Sequence, residues 1–380
     1  MKEFIYADNA ATTKLDIDAF EAMKPFLLEE YGNASQPYSF ARSAKNALKN
    51  ARAKIAACIG ALPEEIYFTS GGTESNNWVI KSSALSDLQK RPMITSQIEH
   101  HALLNACASI ERLGYPVEYL SVNSNGEVVP ETLERMMNDR IRLVSVMLSN
   151  NEIGTIQPVK NLAKIAHSYG ALFHTDAVQA LGHLKINVAE LDVDFLSASA
   201  HKFNGPKGVG FLYIKKGILL PPYSDGGAQE FGLRAGTENV AGIVGMAVAL
   251  QKNCSEIENH SRRLYELEEK MLCRLNKYGI DYIRNGGNER VPGNLSLSFK
   301  HANGEALLHR LDLMGICVST GSACDSVNSS ISHVLRSISL DDEYAKGTIR
   351  ISLGRDNTEE HVLQIAESIV KILKSQLAMI

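Results

Sequence analysis

No run of eighteen apolar residues occurs in the 380-residue chain, so a membrane-spanning helix is not expected. Its first fifteen residues, MKEFIYADNAATTKL, carry no apolar stretch of the kind a secretory leader needs. Cysteine is sparse. Six thiols, Cys58, Cys107, Cys254, Cys273, Cys317 and Cys324, are scattered along the chain. That excludes a dense disulfide scaffold and makes a reducing cytoplasm the expected compartment. Excess charge is missing as well. With 39 Lys and Arg against 43 Asp and Glu, the formal net charge is −4. Neither nucleic acid nor an anionic membrane is therefore an expected partner. No repeat and no low-complexity tract stands out.

What remains is an ordinary globular composition, 44% apolar and 22% charged. The length suits two or three domains, or one large α/β domain with a small companion. Strand-like runs recur at EIYFTS (65–70), RPMITS (91–96), RLVSVML (142–148), ALFHTDA (171–177), DFLSASA (194–200) and VGFLYI (209–214). Helical patterns lie between them, at 40–59 and 161–169. That rhythm predicts a mostly parallel sheet covered by helices. From about residue 246 the pattern changes to a charged helix, strand-like NLSLSF (294–299), a helix, a Ser-rich loop and strand-like GTIRISL (347–353). A last helix follows, with Val362, Ile365, Ile369, Ile372 and Leu373 on one face and Glu359 and Glu360 at its positive end.

Several stretches carry residue types suited to chemistry. FTSGGTESNN (68–77) reads as a strand, a Gly-Gly turn and a helix starting at Thr73. Free N–H groups at a helix start favour a phosphate, although an ordinary strand–turn–helix connection reads the same way. No Gly-Lys-Ser/Thr closes the loop, which disfavours a nucleoside triphosphate. Asp176 ends an apolar strand, where open α/β sheets bind ligands. It is either a helix N-cap or the partner of a protonated ring nitrogen such as that of pyridoxal phosphate, with Gln179 pointing the same way. His100 and His101 follow a strand, and spacing alone does not decide which of them faces a site. Lys202 follows the strand that ends at Ser199, so its amine reaches the same sheet edge as Asp176 and could form an imine with an aldehyde. Ser199 and His201 would help hold the phosphate, while Lys207 in a Gly-Pro-Lys-Gly turn reads as solvated. Cys324 lies in the Gly/Ser/Asn-rich STGSACDSVNSS (319–330) and reads as an exposed nucleophile that travels. Cys317 in MGICVS reads as core. A metal pair of Cys317 and Cys324 with His333 lacks the usual spacing, and no metal is expected.

Nine stretches in order resemble one family: YADNAATT (6–13), FTSGGTESNN, EHHA (99–102), NNEIG (150–154), HTDAVQ (174–179), SAHKFNGPKG (199–208), RAGTEN (234–239), GSAC (321–324) and RISLG (350–354). They resemble the cysteine desulfurases of the NifS/IscS-like group, within the fold-type I, class-V aminotransferase-like enzymes. The resemblance covers essentially the whole chain. It implies an α/β fold whose large domain, 15–245, holds a mostly parallel seven-stranded sheet. A smaller α+β domain of 1–14 and 246–380 would carry the mobile Cys324 loop.

The resemblance further implies pyridoxal 5'-phosphate as cofactor, L-cysteine as substrate and L-alanine as product. By position, Lys202 resembles the lysine that carries the cofactor and later removes the Cα proton. His100, directly after Glu99, resembles the ring-stacking histidine, the candidate for the substrate thiol proton. Asp176 and Gln179 resemble the ring contacts, and Gly72, Thr73, Ser199 and His201 the phosphate cradle. Thr237 falls where a second subunit reaches in, implying a homodimer. Asn151 and Arg350 resemble the substrate-carboxylate residues, and Cys324 the persulfide-forming nucleophile, on a loop of the extended rather than SufS-like kind. The sulfur acceptor would be an iron–sulfur scaffold, a tRNA-thiolation enzyme or a thiamine-pathway carrier. Two motifs depart from the family. GNASQPY (32–38) has Tyr38 in place of a histidine, and GGAQE (226–230) has Ala228 in place of a glycine. Rival readings are a selenocysteine lyase, another class-V aminotransferase, or a non-catalytic sulfur carrier. The last would need Cys324 but not Lys202 and Asp176.

Overall fold

Strands that are apolar on both faces must be covered on both faces, and here they form the centre of one sheet. The computed structural model describes residues 4–321 and 331–377. After β1 (Ile5–Tyr6) come β2 (Ile66–Thr69), β3 (Met93–Ser96), β4 (Val117–Leu120), β5 (Leu143–Ser145), β6 (Leu172–Asp176), β7 (Phe195–Ser199) and β8 (Gly210–Ile214). The last seven form a sheet in the order β2-β8-β7-β6-β5-β3-β4. Neighbours are parallel except at β8, which is antiparallel to both β2 and β7. All residues of β7 and β8 are buried. The six strands expected from the sequence are all present, and the seventh is β4, at the edge.

Helices cover the sheet by their apolar stripes. The helix Arg42–Ile59 buries Ala44, Leu48, Ala51, Ile55 and Ile59, a spacing of three and four. It stops at Gly60, whose φ of 70° suits a residue without a Cβ. The expected 161–169 helix runs Val159–Ser168, and the helix after the Gly-Gly turn runs Gly72–Leu85, with Gly71 as its cap.

A second core belongs to β9 (Tyr282–Arg284), β10 (Asn294–Phe299), β11 (Ile316–Cys317) and β12 (Thr348–Ser352). β12, β10 and β9 make an antiparallel sheet, and β11 pairs in parallel with β1. Leu295, Leu297, Phe299, Ile349 and Ile351 pack there against Val362, Ile365 and Ile369 of the final helix, Glu359–Leu377, and against Ile5 and Ala7. The long helix Val240–Lys277 runs unbroken across the boundary drawn at 245/246. Its residues Met246–Leu250 pack with the large sheet, and Leu264 onward with the small one. Cys317, expected in the core, is only half-buried, because β11 is two residues long and pairs with the partly exposed Tyr6. Among the described residues no helix is long and apolar enough to cross a membrane.

Parallel strands bring their C-terminal ends to one edge. Thr69, Ser96, Ser145, Asp176 and Ser199 end there, and Gly210 begins β8 opposite Thr69 and Ser199. A Cβ at Gly210 would lie 2.3 Å from the Ala198 carbonyl oxygen and 2.6 Å from the Gly71 Cα. Both are backbone atoms, so the sheet would have to open. Gly210→Ala is expected to cost about 1–3 kcal/mol or more, read as a lower urea midpoint. An unchanged midpoint would contradict this close approach.

Candidate active site

At that edge lies a cavity of about 290 Å³. Of the residues singled out in the sequence, Gly72, Thr73, His100, Asn151, Asp176, Gln179, Ser199, His201, Lys202 and Arg350 all line it. Gly72, Thr73, Ser199 and His201 also line an adjoining outer hollow, with Lys207 at its rim. Thr237 is exposed and lies outside the cavity of its own chain. Cys324 lies outside the described residues. Gly321, the last described residue before it, lines the cavity.

Asp176 is buried, and each of its carboxylate oxygens has a donor. Asn76 Nδ2 donates to Oδ2 at 2.6 Å, and the Val178 N–H donates to Oδ1 at 2.9 Å. Asp176 therefore caps a turn rather than a helix, and its charge is held at the strand end. Lys202 Nζ donates to the carbonyls of Ala10 and Ala11, at 2.5 and 2.8 Å. These carbonyls come from the N-terminal YADNAATT stretch. The Lys202 carbonyl accepts from His183 Nε2 at 2.9 Å, which fixes the turn. Gln179 Nε2 donates to the Ala10 carbonyl as well. Lys207 is exposed.

Of the two histidines, His100 is the one in the cavity. His101 turns away, its ring 4.8 Å from that of His333. The His100 Nδ1 accepts from the Ala102 N–H at 3.1 Å, capping the helix His101–Glu111, so the neutral ring carries its proton on Nε2. Burial pulls the His100 pKa down, with Asp176 opposing and Lys202 and His101 assisting. His201 bonds Thr12 Oγ1 through Nδ1 at 3.1 Å, and burial with Lys202 and Lys207 lowers its pKa to about 4. Both rings are neutral near pH 7.

At the other end, Arg350 Nη2 donates to Asp8 Oδ1 at 2.8 Å and Nη1 donates to the Asn151 carbonyl at 3.0 Å. Its buried Nε has no partner among the described residues. Asn151 thus holds Arg350 through its backbone. The cradle at the start of the Gly72–Leu85 helix is tight. A Cβ at Gly72 would lie 2.5 Å from Val178 Cγ2, and Gly71, at a φ of 146°, sits where a Cβ would be 3.3 Å from Ser199 Oγ. The Glu74 carboxylate turns back to the Ser70 N–H at 2.8 Å and to Arg234, leaving the Gly72 and Thr73 end for an anion. Of the two departures, Tyr38 is exposed, and Ala228 lines an outer groove with Arg52, Glu230 and Phe231.

Asn76 and Glu99 were not foreseen. Asn76 lies one turn into its helix, and only its meeting with Asp176 reveals it. Glu99 is fully buried beside His100. Its Oε1 accepts from Ser96 Oγ at 2.6 Å and from the Met147 N–H at 2.9 Å, and its Oε2 has no partner among the described residues. Burial pushes its carboxyl up to about 8, against those two hydrogen bonds and with help from the Asp176 charge. Near neutral pH Glu99 is a carboxylic acid. His333 Nε2 donates to the Glu99 carbonyl at 3.0 Å.

The aminotransferase class-V family profile matches residues 5–365. A relative named cysteine desulfurase IscS, from Dictyoglomus turgidum, is 47% identical over 99% of this chain and 96% of its own. Among solved structures, a NifS-like protein superposes with a TM-score of 0.92 at 39% identity, covering 98% of this chain and all of its own. Another, titled SspA in complex with cysteine, has a TM-score of 0.82 at 35% identity, covering 92% and 98% of the two chains.

The proton on Glu99 has a measurable consequence. Its pKa is about 8 in the folded chain and about 4.3 unfolded. Between those values the folded state holds a proton that the unfolded state has lost, so this group makes stability fall as pH rises from about 4.3 to 8. Glu99→Gln is expected to flatten the urea-measured stability across that window and to gain on the native chain towards pH 8. An unchanged profile would show that Glu99 is ionised in the fold.

Proposed function

The chain belongs to the class-V aminotransferases and, within them, to the cysteine desulfurases, which convert L-cysteine to L-alanine and pass on its sulfur; on that premise we propose how its own residues divide the work. The observation that carries the assignment is one cavity lined by an amine, Lys202, a buried carboxylate, Asp176, and a helix start fit for phosphate.

Pyridoxal 5'-phosphate fits these residues. Gly72 leaves no room for a side chain beside Val178, the Gly71 φ of 146° disfavours one, and both glycines with Thr73, Ser199 and His201 line the hollow where the phosphate would sit. Asp176 would hold the ring nitrogen protonated, Gln179 would meet the ring hydroxyl, and His100 would stack on the ring. When bound, the cofactor supplies an electron sink that labilises substrate bonds at Cα and Cβ.

The chain's own groups supply the rest. Lys202 accepts the Cα proton once its amine is free, the carbonyls of Ala10 and Ala11 holding it near the site. Arg350 meets the substrate carboxylate with the guanidinium N–H groups not used by Asp8 and Asn151. Asn151 acts by orienting that guanidinium. Because His100 Nδ1 is engaged by Ala102, its Nε2–H is a donor to the substrate sulfur rather than a base. The Cys324 thiolate would attack that sulfur: an S–S bond forms, the substrate Cβ–S bond breaks with its electron pair left on carbon, and protonation there gives alanine, leaving Cys324 as a persulfide for delivery to an acceptor protein in iron–sulfur assembly or tRNA thiolation. A reducing cytoplasm suits such a thiol. A homodimer would account for Thr237, which is exposed and outside the cavity of its own chain and would serve that of a second copy.

Two variants test the division. Lys202→Ala is expected to lose the visible absorption of the yellow holoenzyme and all alanine and sulfide production. Retained colour and turnover would overturn it. Cys324→Ser is expected to keep the colour and its change on adding L-cysteine, yet lose sulfide release by about three orders of magnitude or more. Unchanged sulfide release would remove Cys324 from the reaction.

A further inference from the structure

One buried carboxyl group meets the chain on both sides of Cys324. Gly321 is the last described residue before that cysteine, and Ile331 and Ser332 are the first after it. Ser332 Oγ donates to Glu152 Oε2 at 2.6 Å and accepts from the Val334 N–H at 3.1 Å. A Cβ at Gly321 would collide with that same Glu152 oxygen and lie 3.7 Å from the Ser332 Cβ. Gly321, Ser332 and one oxygen of Glu152 therefore meet at a single point. Glu152 and Ser332 are both buried. The carboxyl sits on a turn held from within. The Glu152 and Ile153 N–H groups donate to Asn150 Oδ1 at 2.8 and 3.0 Å, and Asn150 Nδ2 donates to the Ile98 carbonyl at 2.9 Å. The same turn reaches the substrate end, because the carbonyl of Asn151 accepts from Arg350 Nη1 at 3.0 Å. The chain before Gly321 is tied to Arg350 as well. The Ser319 N–H donates to the Arg350 carbonyl at 3.0 Å, and the Arg350 N–H donates to the Ser319 carbonyl at 2.6 Å.

We propose that Glu152 is a positioning residue for sulfur transfer, fixing Gly321 and Ser332 relative to Arg350 so that Cys324 meets the sulfur of a substrate held there. This rests on the assignment of Cys324 as the nucleophile. Glu152 is absent from the described lining of the cavity, where its neighbours Asn151 and Gly321 stand. It exchanges no proton or electron pair in the reaction: the S–S bond that forms and the Cβ–S bond that breaks belong to Cys324 and the substrate. Its part is geometric. A displacement of about 1 Å between reacting groups lowers a rate about 100-fold, and tying both flanks to the substrate's own anchor removes one source of displacement. The contact needs an oxygen at this place, since the buried Ser332 hydroxyl would otherwise lose the acceptor for its proton. Glutamine supplies that oxygen and alanine does not.

The test uses the holoenzyme and reads its visible absorption, the L-cysteine concentration that half-saturates the change in that absorption, and the rate of alanine formation in a single turnover. Glu152→Ala is expected to keep the colour and the half-saturating concentration within about twofold, while alanine formation falls about tenfold or more. Glu152→Gln should recover most of the rate. Ser332→Ala should show the same split, and the double variant should be no slower than the slower single one, since both changes remove one contact. Unchanged alanine formation in an alanine variant that keeps its colour would overturn the proposal. So would loss of colour in both alanine variants, or a half-saturating concentration that rises as much as the rate falls, because these mark a role in the fold or in carboxylate binding. Cys324→Ser, run beside them, keeps the two readings apart. Native alanine formation in Cys324→Ser would remove the nucleophile and this proposal with it. An inactive Cys324→Ser beside a fully active Glu152→Ala would remove this proposal alone.

Discussion

A carboxylate and an amine held across one small cavity set the terms for everything else in this molecule. Asp176 is buried at the end of β6, and a charge in that position costs several kcal/mol unless bonded. Two donors bond it, Asn76 from one helix and Val178 from its own turn. Lys202 is held in turn by main-chain carbonyls of the N-terminal segment. The sheet topology makes this possible, since β6 and β7 end side by side and their following turns must face each other.

The neutral groups around the pair matter as much as the charged ones. Burial keeps Glu99 protonated and both His100 and His201 uncharged. Among the described residues that line the cavity, Asp176 is then the one carboxylate. At the substrate end Asp8 balances Arg350 at 2.8 Å, so the guanidinium is poised without being buried unpaired. Arg350 comes from β12, beside the second core, and Asp176 and Lys202 come from the ends of β6 and β7, beside the first. The cavity therefore lies where the two cores meet.

Much of this was legible in the sequence, for physical reasons. The central strands announce themselves because both faces are apolar, and Asp176 and Lys202 stand out because polar residues end those runs. β4 escaped because it is an edge strand, with Tyr119 partly exposed and Glu118 half-buried. β1 and β11, two residues each, carry no periodicity at all. Asn76 acts on a residue 100 positions away, and nothing in the sequence around Glu99 marks its burial. The change from one core to the other falls inside an unbroken helix, where composition gives no mark. Of the two lysines in SAHKFNGPKG, it is the first that reaches the cavity, as its place directly after β7 implied.

The most direct measurement is reductive trapping. The protein purified with pyridoxal 5'-phosphate is treated with borohydride and digested, and any cofactor-bearing peptide is sequenced by mass spectrometry. The account predicts the label on Lys202 alone. A label on Lys207 or on any other lysine, or a cofactor that washes away after reduction, would contradict it.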